Sequence, residues 1–219
     1  MRIYSDRKEA GRALGKALAS EAGRSPVVLG LPRGGVPVAY EVARTLDAPL
    51  DVFVVRKLGV PWQPELAMGA IASGNVLVRN QDVLRGMGDA EEALEAVRRR
   101  EQAELARREQ AYRAGRPPVP VDGRTVIVVD DGLATGSSMK AAVEALRAQG
   151  AARIVVAVPV GPPDTCRELE ELADEVVCLQ RPSMFMAVGQ WYEDFSQTGD
   201  DEVGELLAEA AAGRGAAAG

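Results

Sequence analysis

The sequence predicts an α/β fold, built as an open and mostly parallel sheet with helices on both of its faces. Short, continuously apolar runs such as residues 126–129 are typical of strands that are covered on both sides. These runs alternate along the chain with segments of helical periodicity. Ligands of such sheets bind at the carboxyl ends of the strands, so the residues that follow each strand are the candidate site residues.

The first third of the chain carries alternating helix and strand signals. Asp6 can cap a helix, with Glu9 three residues later and apolar residues recurring on one face of the segment that follows. Residues 50–58 alternate and are rich in Val, which indicates a strand. The elements predicted here are a helix over 6–22, a strand at 27–29, a helix after Gly34 and Gly35 that reaches about 46, a strand at 50–58, a loop at 59–64, and a strand at 70–79 with a turn or bulge near Gly74.

The remainder of the chain repeats this alternation after one long helix. Residues 89–114 carry Glu and Arg four positions apart, which supports an exposed helix that packs by one edge. The later elements are a proline-rich connection, a strand at 126–129, a helix at 137–149, a strand at 154–160, a helix at 165–173 and a strand at 176–179. Residues 211–219 are Ala and Gly apart from Arg214, and we expect a frayed tail there.

Length and composition predict a single domain over residues 1–219, with its core at about 26–179. A net charge of -6 argues against a nucleic-acid partner. The absence of His excludes Ser-His triads and most transition-metal sites. Cys166 and Cys178 form neither a disulfide framework nor a zinc motif, and no apolar run reaches membrane-spanning length. We therefore expect a cytoplasmic protein with no membrane partner.

A turn of small and hydroxyl-bearing residues follows the strand at 126–129 and opens the next helix. Thr135, Ser137, Ser138 and the backbone N–H groups of this turn can bind a phosphate, since the helix N-terminus adds partial positive charge. Gly136 allows the backbone to approach the ligand closely. The Walker A and Rossmann glycine patterns are both absent.

Two adjacent acids, Asp130 and Asp131, precede this turn. Carboxylates beside an anion site would repel the anion, so they need another partner, either sugar hydroxyls or a hydrated Mg²⁺. A generic helix cap after a strand would account for the acid pair alone. It does not account for the whole segment 126–138.

This segment resembles the signature of the type I phosphoribosyltransferases, which bind 5-phosphoribosyl-1-pyrophosphate (PRPP). Four apolar residues, two acids, two small or apolar residues and Ala-Thr-Gly match the pattern, and two Ser stand where Gly and Thr are frequent. The resemblance implies that Ala134, Thr135, Gly136, Ser137 and Ser138 hold the 5-phosphate. It also implies that Asp130 and Asp131 hold the ribose hydroxyls.

Two further stretches resemble other parts of the same family site. The turn with Arg33, Gly34 and Gly35 is similar to the pyrophosphate loop of the family, in which a cis peptide is frequent, and the matching bond joins Pro32 to Arg33. Lys57 stands where the family keeps basic residues near a mobile loop, although a solvated basic residue is an equal alternative. Trp62 in the following loop either helps to close a lid or anchors the core.

The aromatic stretch 185–195 lies where the family places a small hood over the acceptor, and we predict a hood at about residues 180–200. By loose resemblance to the 6-oxopurine transferases, Val188, Trp191 and Glu193 would lie near the base, with a small hydrophobic satellite core as the alternative. Ala134 stands where those enzymes have an Asp, which speaks against hypoxanthine and guanine as acceptors.

The resemblance implies a phosphoribosyltransferase, with Mg²⁺ bound through PRPP and with Asp130 and Asp131 as candidate metal ligands. Arg33 and Lys57 join these acids as the candidate catalytic residues. The partners would be PRPP and a small-molecule acceptor, and the sequence leaves homo-oligomer formation open. The alternative from another class is a PRPP-sensing regulator that does no chemistry.

Overall fold

The computed structural model describes residues 2–217, and within them eight strands form two sheets. The strands are β1 Val27–Gly30, β2 Leu50–Val52, β3 Val55–Val60, β4 Gln63–Ala72, β5 Val76–Arg79, β6 Thr125–Val129, β7 Arg153–Val160 and β8 Glu175–Gln180. The main sheet has five parallel strands in the order β2-β1-β6-β7-β8. The second sheet is antiparallel, with the order β3-β4-β5.

Helices cover both faces of the parallel sheet. They are α1 Arg7–Ala17, α2 Gly35–Leu46, α3 Gln81–Arg85, α4 Ala90–Arg113, α5 Ser137–Ala148, α6 Pro163–Glu170 and α7 Asp200–Ala217, with short 3-10 helices at Ala19–Arg24 and Val188–Trp191. Neighbouring side chains of β6 enter opposite cores, as strand geometry requires. Val129 packs with Leu14 and Val42 from α1 and α2, whereas Val128 packs with Leu146 from α5. The predicted α/β architecture is confirmed.

The sheet changes its direction of winding between β1 and β6. The chain leaves β1 into α2 on one face and leaves β6 into α5 on the other face. Gly30 and Val129, the last residues of the two strands, are paired in register, and Leu31 N donates to Val129 O at 2.9 Å. The loops after β1 and β6 therefore begin side by side at a topological switch point, where open α/β sheets bind ligands.

The predicted strand at 50–58 is wrong as a single element, because it divides between the two sheets. The chain leaves the parallel sheet after Val52, and Val54 N donates to Ser73 Oγ at 2.8 Å to begin the antiparallel pairing. The predicted loop at 59–64 is the end of this hairpin, since β3 continues to Val60 and β4 begins at Gln63. The predicted strand at 70–79 is two strands, because β4 ends at Ala72 and β5 begins at Val76. Of the turn or bulge predicted near Gly74, the structure has the turn.

The frayed tail that we expected at 211–219 is wrong for residues 211–217, which continue α7. Ala has the highest helix propensity of all residues, and the helix is anchored further back by buried Val203 and Leu207. Residues 218–219 lie outside the described residues. Within residues 2–217 no helix combines the length and hydropathy needed to cross a bilayer.

Candidate active site at the sheet switch point

Asp130 and Asp131 lie directly beyond β6, and most of their surface is removed from water. Asp131 N donates to Asp130 Oδ1 at 2.9 Å, which holds one oxygen of the first carboxylate. Burial raises the pKa of Asp130 well above its ordinary value, and the nearby charge of Asp131 adds to the rise. Burial also raises the pKa of Asp131, and the guanidinium of Arg7 opposes that rise. The pair is thus held at an electrostatic cost to the folded protein.

Arg7 is a residue of this site that the sequence did not indicate. Its Nε lies 2.8 Å from Asp131 Oδ2, although the two residues are 124 positions apart in the chain. Arg7 opens α1, whose N-cap Asp6 accepts a hydrogen bond from Glu9 N at 2.7 Å, as the capping pattern predicted. No local motif marks Arg7, and only the packing of α1 against α2 places it here.

The loop from Gly132 to Gly136 wraps a cavity of about 190 Å³ at the N-terminus of α5. Gly136 has φ +70°, which favours glycine, and a Cβ there would lie 2.6 Å from Thr165 Cγ2. Thr165 Oγ1 donates to Ala134 O at 3.1 Å, and the hydroxyl oxygens of Thr135 and Ser137 are 3.0 Å apart. The cavity lining consists of Asp130, residues 132–139 and Val188, so the structure brings the predicted residues Ala134, Thr135, Gly136, Ser137 and Ser138 together with the first acid.

The turn after β1 packs against both acids. The Pro32–Arg33 peptide is cis, as the family resemblance implied. A Cβ on Gly35 would lie 2.7 Å from Val129 O and 3.0 Å from Asp130 Oδ1, and a Cβ on Gly34 would overlap Asp131 Oδ2. The structure therefore joins the two predicted loops into one site.

Arg33 projects from this turn toward the start of α7. Its Nη1 lies 3.8 Å from Asp200 Oδ1, and the Arg33 side chain is 37% exposed. Asp200 also accepts a hydrogen bond from Tyr112 Oη at 2.8 Å. The guanidinium of Arg33 is accessible and held only loosely.

Lys57 lies on β3, across a wider cleft from the phosphate loop. This cleft has a volume of about 850 Å³ and is lined by Lys57, by Thr135, Ser137 and Ser138, and by residues of β4, β5 and α5. Lys57 Nζ is 3.2 Å from Glu65 Oε2 in an exposed pair. Trp62 is 70% exposed at the tip of the β3–β4 hairpin, which rules out a core anchor.

The hood residues divide into two groups. Val188 reaches the cavity, and a Cβ on Gly132 would lie 2.6 Å from Val188 Cγ1. Trp191 packs instead with Tyr4 and Tyr192 in a small separate core, as the alternative interpretation held. The Glu193 side chain is exposed, and its backbone N donates to Tyr4 O at 2.8 Å.

Tyr192 contributes its hydroxyl to the site from within that small core. Tyr192 Oη donates to the backbone oxygen of Asp131 at 2.6 Å. Burial raises the pKa of this phenol, so it stays a donor. The contact fixes the second acid from the hood side.

The acid pair has the oxygen chemistry of a partial magnesium site. Within residues 2–217 no group of three or more His, Cys, Asp or Glu side chains could hold a metal. Mg²⁺ commonly keeps several waters and binds through one or two carboxylates plus substrate phosphates. Asp130 and Asp131 are oxygen ligands of that number, so they could contact a metal carried by a diphosphate.

The fold and the site define an open α/β domain with a hydroxyl-bearing loop at residues 132–138 and paired carboxylates at its switch point. The model of the phosphoribosyl transferase domain matches residues 4–196. The chain therefore belongs to the type I phosphoribosyltransferase family.

Three relatives share most of this chain. Two proteins of Mycobacterium tuberculosis, from strains CDC 1551 / Oshkosh and ATCC 25618 / H37Rv, are named as proposed phosphoribosyl transferases and are 54% identical over 207 residues, which is 94% of this chain. The chain spans 47% of each of these proteins, about half the length of the curated relatives it matches. The crystal structure of the protein TT1426 from Thermus thermophilus is 46% identical with a TM-score of 0.86, covering 95% of this chain and 99% of that one.

Proposed function

We propose that this chain transfers ribose 5-phosphate from PRPP to an acceptor, a nitrogenous base, and releases pyrophosphate in a Mg²⁺-dependent reaction. The observation that carries this proposal is the contact of Gly34 and Gly35 with Asp131 and Asp130. This contact joins an Arg-bearing turn and a phosphate loop around two carboxylates. A ligand with two phosphorylated ends and a sugar between them matches that order of groups.

The phosphate loop would bind the 5-phosphate of PRPP. Its cavity offers the hydroxyls of Thr135, Ser137 and Ser138 and the N-terminus of α5. Asp130 lines this cavity and Asp131 follows it in the chain, so ribose hydroxyls would donate hydrogen bonds to the two acids beside the bound phosphate. Charge-assisted bonds of this kind contribute about 1.5–3 kcal/mol each.

The pyrophosphate would lie over the turn after β1. Arg33 offers a planar guanidinium for its oxygens, and Lys57 faces the neighbouring cleft beside Thr135, Ser137 and Ser138 from β3. Mg²⁺, when bound with PRPP, supplies further positive charge for the diphosphate. In the reaction the bond between the anomeric carbon and the pyrophosphate oxygen breaks, and a bond from the acceptor nitrogen to that carbon forms. Arg33 and Lys57 stabilise the negative charge that develops on the departing oxygens.

The acceptor would enter beside Val188, which lines the same cavity as Asp130. Asp130 is the one carboxylate among the described residues of this lining, and it would be engaged by the ribose hydroxyls, so the acceptor nitrogen would enter already deprotonated. Ala134 brings no carboxylate to a purine N–H, and this favours an acceptor other than hypoxanthine or guanine.

Pyrophosphate release tests the proposal. The protein is incubated with PRPP, Mg²⁺ and single bases from a panel, with EDTA as the metal control and the Asp130→Asn, Asp131→Asn double variant as the site control. Release that depends on one base, on metal and on both acids is the expected result. Tight PRPP binding with no release for any base would overturn the enzyme and support the PRPP-sensing regulator instead. Absence of PRPP binding would contradict both the phosphoribosyltransferase and the PRPP-sensing regulator.

A further inference from the structure

We infer that Arg7 is a positioning residue that holds Asp131 for the ribose and couples the ribose site to the end of the hood. This inference rests on the proposed function, because it concerns the PRPP-binding state of the same site. The coupled segment is residues 192–196, called here the hood end.

Three contacts converge on the one guanidinium of Arg7. Its Nε lies 2.8 Å from Asp131 Oδ2, and its Nη1 donates to Ser196 O at 2.7 Å. Its Cζ lies 4.0 Å from the centroid of the Phe195 ring, within the range of a cation–π contact. Arg7 thus bridges one of the two signature acids and the hood end in a single side chain.

Burial makes this pair different from the other ion pairs of α1. The side chains of Arg7 and Asp131 are only 12% and 13% exposed, whereas Arg12 on the same helix is 49% exposed and lies 3.9 Å from Glu41. Removing one partner of a largely buried pair leaves an uncompensated buried charge, so the loss of Arg7 should be strongly destabilising for the site. Loss of Arg12 leaves no such charge, because the buried carboxylate of Glu41 is also paired with Arg44 at 2.7 Å.

The contact also sets which carboxylate oxygens can meet a ligand. Arg7 occupies Oδ2 of Asp131, and the backbone N of Asp131 occupies Oδ1 of Asp130. Each acid is therefore fixed through one oxygen, Asp131 by Arg7 and Asp130 by the backbone, and ribose hydroxyls would bind at the other oxygen.

The hood end is hydrogen-bonded to the segment before Arg7 and to the backbone of Asp131. Glu193 N donates to Tyr4 O at 2.8 Å and Asp194 N donates to Ser5 O at 2.9 Å, while Tyr192 Oη donates to the backbone of Asp131. Arg7 is the side chain that extends this framework to the carboxylate itself. A ligand on Asp131 that tightens the Arg7 contact will steady the hood end, and by linkage a steadied hood end will favour that ligand.

Hydrogen exchange and calorimetry on the whole chain test the coupling. In the unchanged protein, PRPP with Mg²⁺ should slow amide exchange in residues 192–196. Arg7→Gln should weaken PRPP binding by about tenfold or more, the equivalent of one lost buried charge contact, and should abolish that slowing. Arg7→Lys keeps the charge but loses the planar set of guanidinium donors and the contact with the Phe195 ring. We therefore expect intermediate PRPP affinity and little slowing of amide exchange in residues 192–196. Arg12→Gln removes the same charge from the same helix and should change neither readout.

A double-mutant cycle separates positioning from a general loss of structure. If Arg7 acts through Asp131, then Asp131→Asn alone and Asp131→Asn with Arg7→Gln will weaken PRPP binding to about the same extent. Additive losses, or wild-type affinity and wild-type slowing in folded Arg7→Gln, would overturn the inference while leaving the proposed function intact. Should Arg7→Gln not fold, Arg7→Lys with wild-type affinity and slowing would overturn it equally. An unchanged protein that does not bind PRPP would instead refute the proposed function, and the inference with it.

Discussion

Gly34 lies directly against the carboxylate of Asp131, with no room between them for even a methyl group. A Cβ built on Gly34 would overlap Asp131 Oδ2 and approach Arg7 Nε to 3.3 Å. Gly34 has φ -61°, so backbone conformation does not require glycine at this position. The requirement comes from the close approach of two loops that follow neighbouring strands.

Replacement of Gly34 by Ala should therefore displace Asp131 and weaken PRPP binding. Overpacking of this kind costs about 1–3 kcal/mol, which corresponds to roughly a tenfold loss or more if it falls on the bound state. Calorimetric titration with PRPP and Mg²⁺ measures it. Gly23→Ala is the matched control, because a Cβ on Gly23 meets nothing within 4 Å. Equal affinities for the two variants would contradict the prediction.

Asp130→Asn should weaken PRPP binding without lowering the stability of the free protein. The Asn oxygen can still accept from Asp131 N, while the change removes a carboxyl whose pKa is raised first by burial and then by the nearby charge of Asp131. We expect a loss of about 1.5–3 kcal/mol in PRPP binding. Urea unfolding should give a free energy equal to or above that of the unchanged protein. A clear fall in stability would show that the carboxylate supports the fold rather than the ligand.

Asp200 should compete only weakly with PRPP for the guanidinium of Arg33. The pair is 3.8 Å apart and its side chains are 37% and 51% exposed, so it stabilises the protein by about 0–1 kcal/mol. Arg33→Ala should then reduce kcat/KM for PRPP strongly, since it removes a bidentate partner of the pyrophosphate. Asp200→Asn should change kcat/KM by less than about fivefold. Steady-state kinetics on both variants would refute this ranking if Asp200→Asn were the more damaging change.

Tyr112 should make the stability of the protein fall at high pH. Burial first, and the hydrogen bond to Asp200 second, raise the pKa of Tyr112 to about 12 from an ordinary value of 10.0. The folded state thus favours the neutral phenol. Its contribution is fully present below the unfolded pKa and is lost as pH rises through the folded value. The affected window is about pH 10 to 12.

Urea unfolding at about pH 9 and about pH 11 tests this, with Tyr112→Phe as the comparison. The unchanged protein should lose more stability between the two pH values than the Phe variant does. Tyr4 and Tyr192 also carry raised pKa values, so both proteins will lose some stability, and the difference between them reports Tyr112. Equal losses of stability in the two proteins would contradict the assignment of this pH dependence to Tyr112.

Hypoxanthine and guanine should be poor acceptors. Ala134 places a methyl group in the phosphate loop where a carboxylate would be needed to pair with a purine N–H, and its backbone oxygen is already bonded to Thr165. Turnover measured for a base panel should show little product with either purine. Ala134→Asp should raise turnover of the two purines relative to the other bases. Efficient use of guanine by the unchanged protein would disprove the prediction.

The class of fold and the position of the loop at residues 132–138 were both predictable, because their signals are local. Strand β6, the acids and the loop are contiguous in sequence, and a buried strand followed by a turn and a helix already fixes where those side chains emerge. The same reasoning failed at 50–58, where periodicity indicates a strand but cannot say which sheet it joins. It also failed at the C-terminus, where composition suggested a tail and the docking of Val203 and Leu207 supports a helix.

The sequence by itself determined the parallel sheet, the loop at residues 132–138 and the acids that precede it. Tertiary structure alone decided that Arg7 pairs with Asp131, that Arg33 lies near Asp200, and that Trp191 belongs to a small core rather than to the cavity. A local sequence pattern indicates which residues of a segment are buried and hydrogen-bonded. It does not indicate which distant residue pairs with them, because that depends on how α1, α7 and the hood pack onto the sheet.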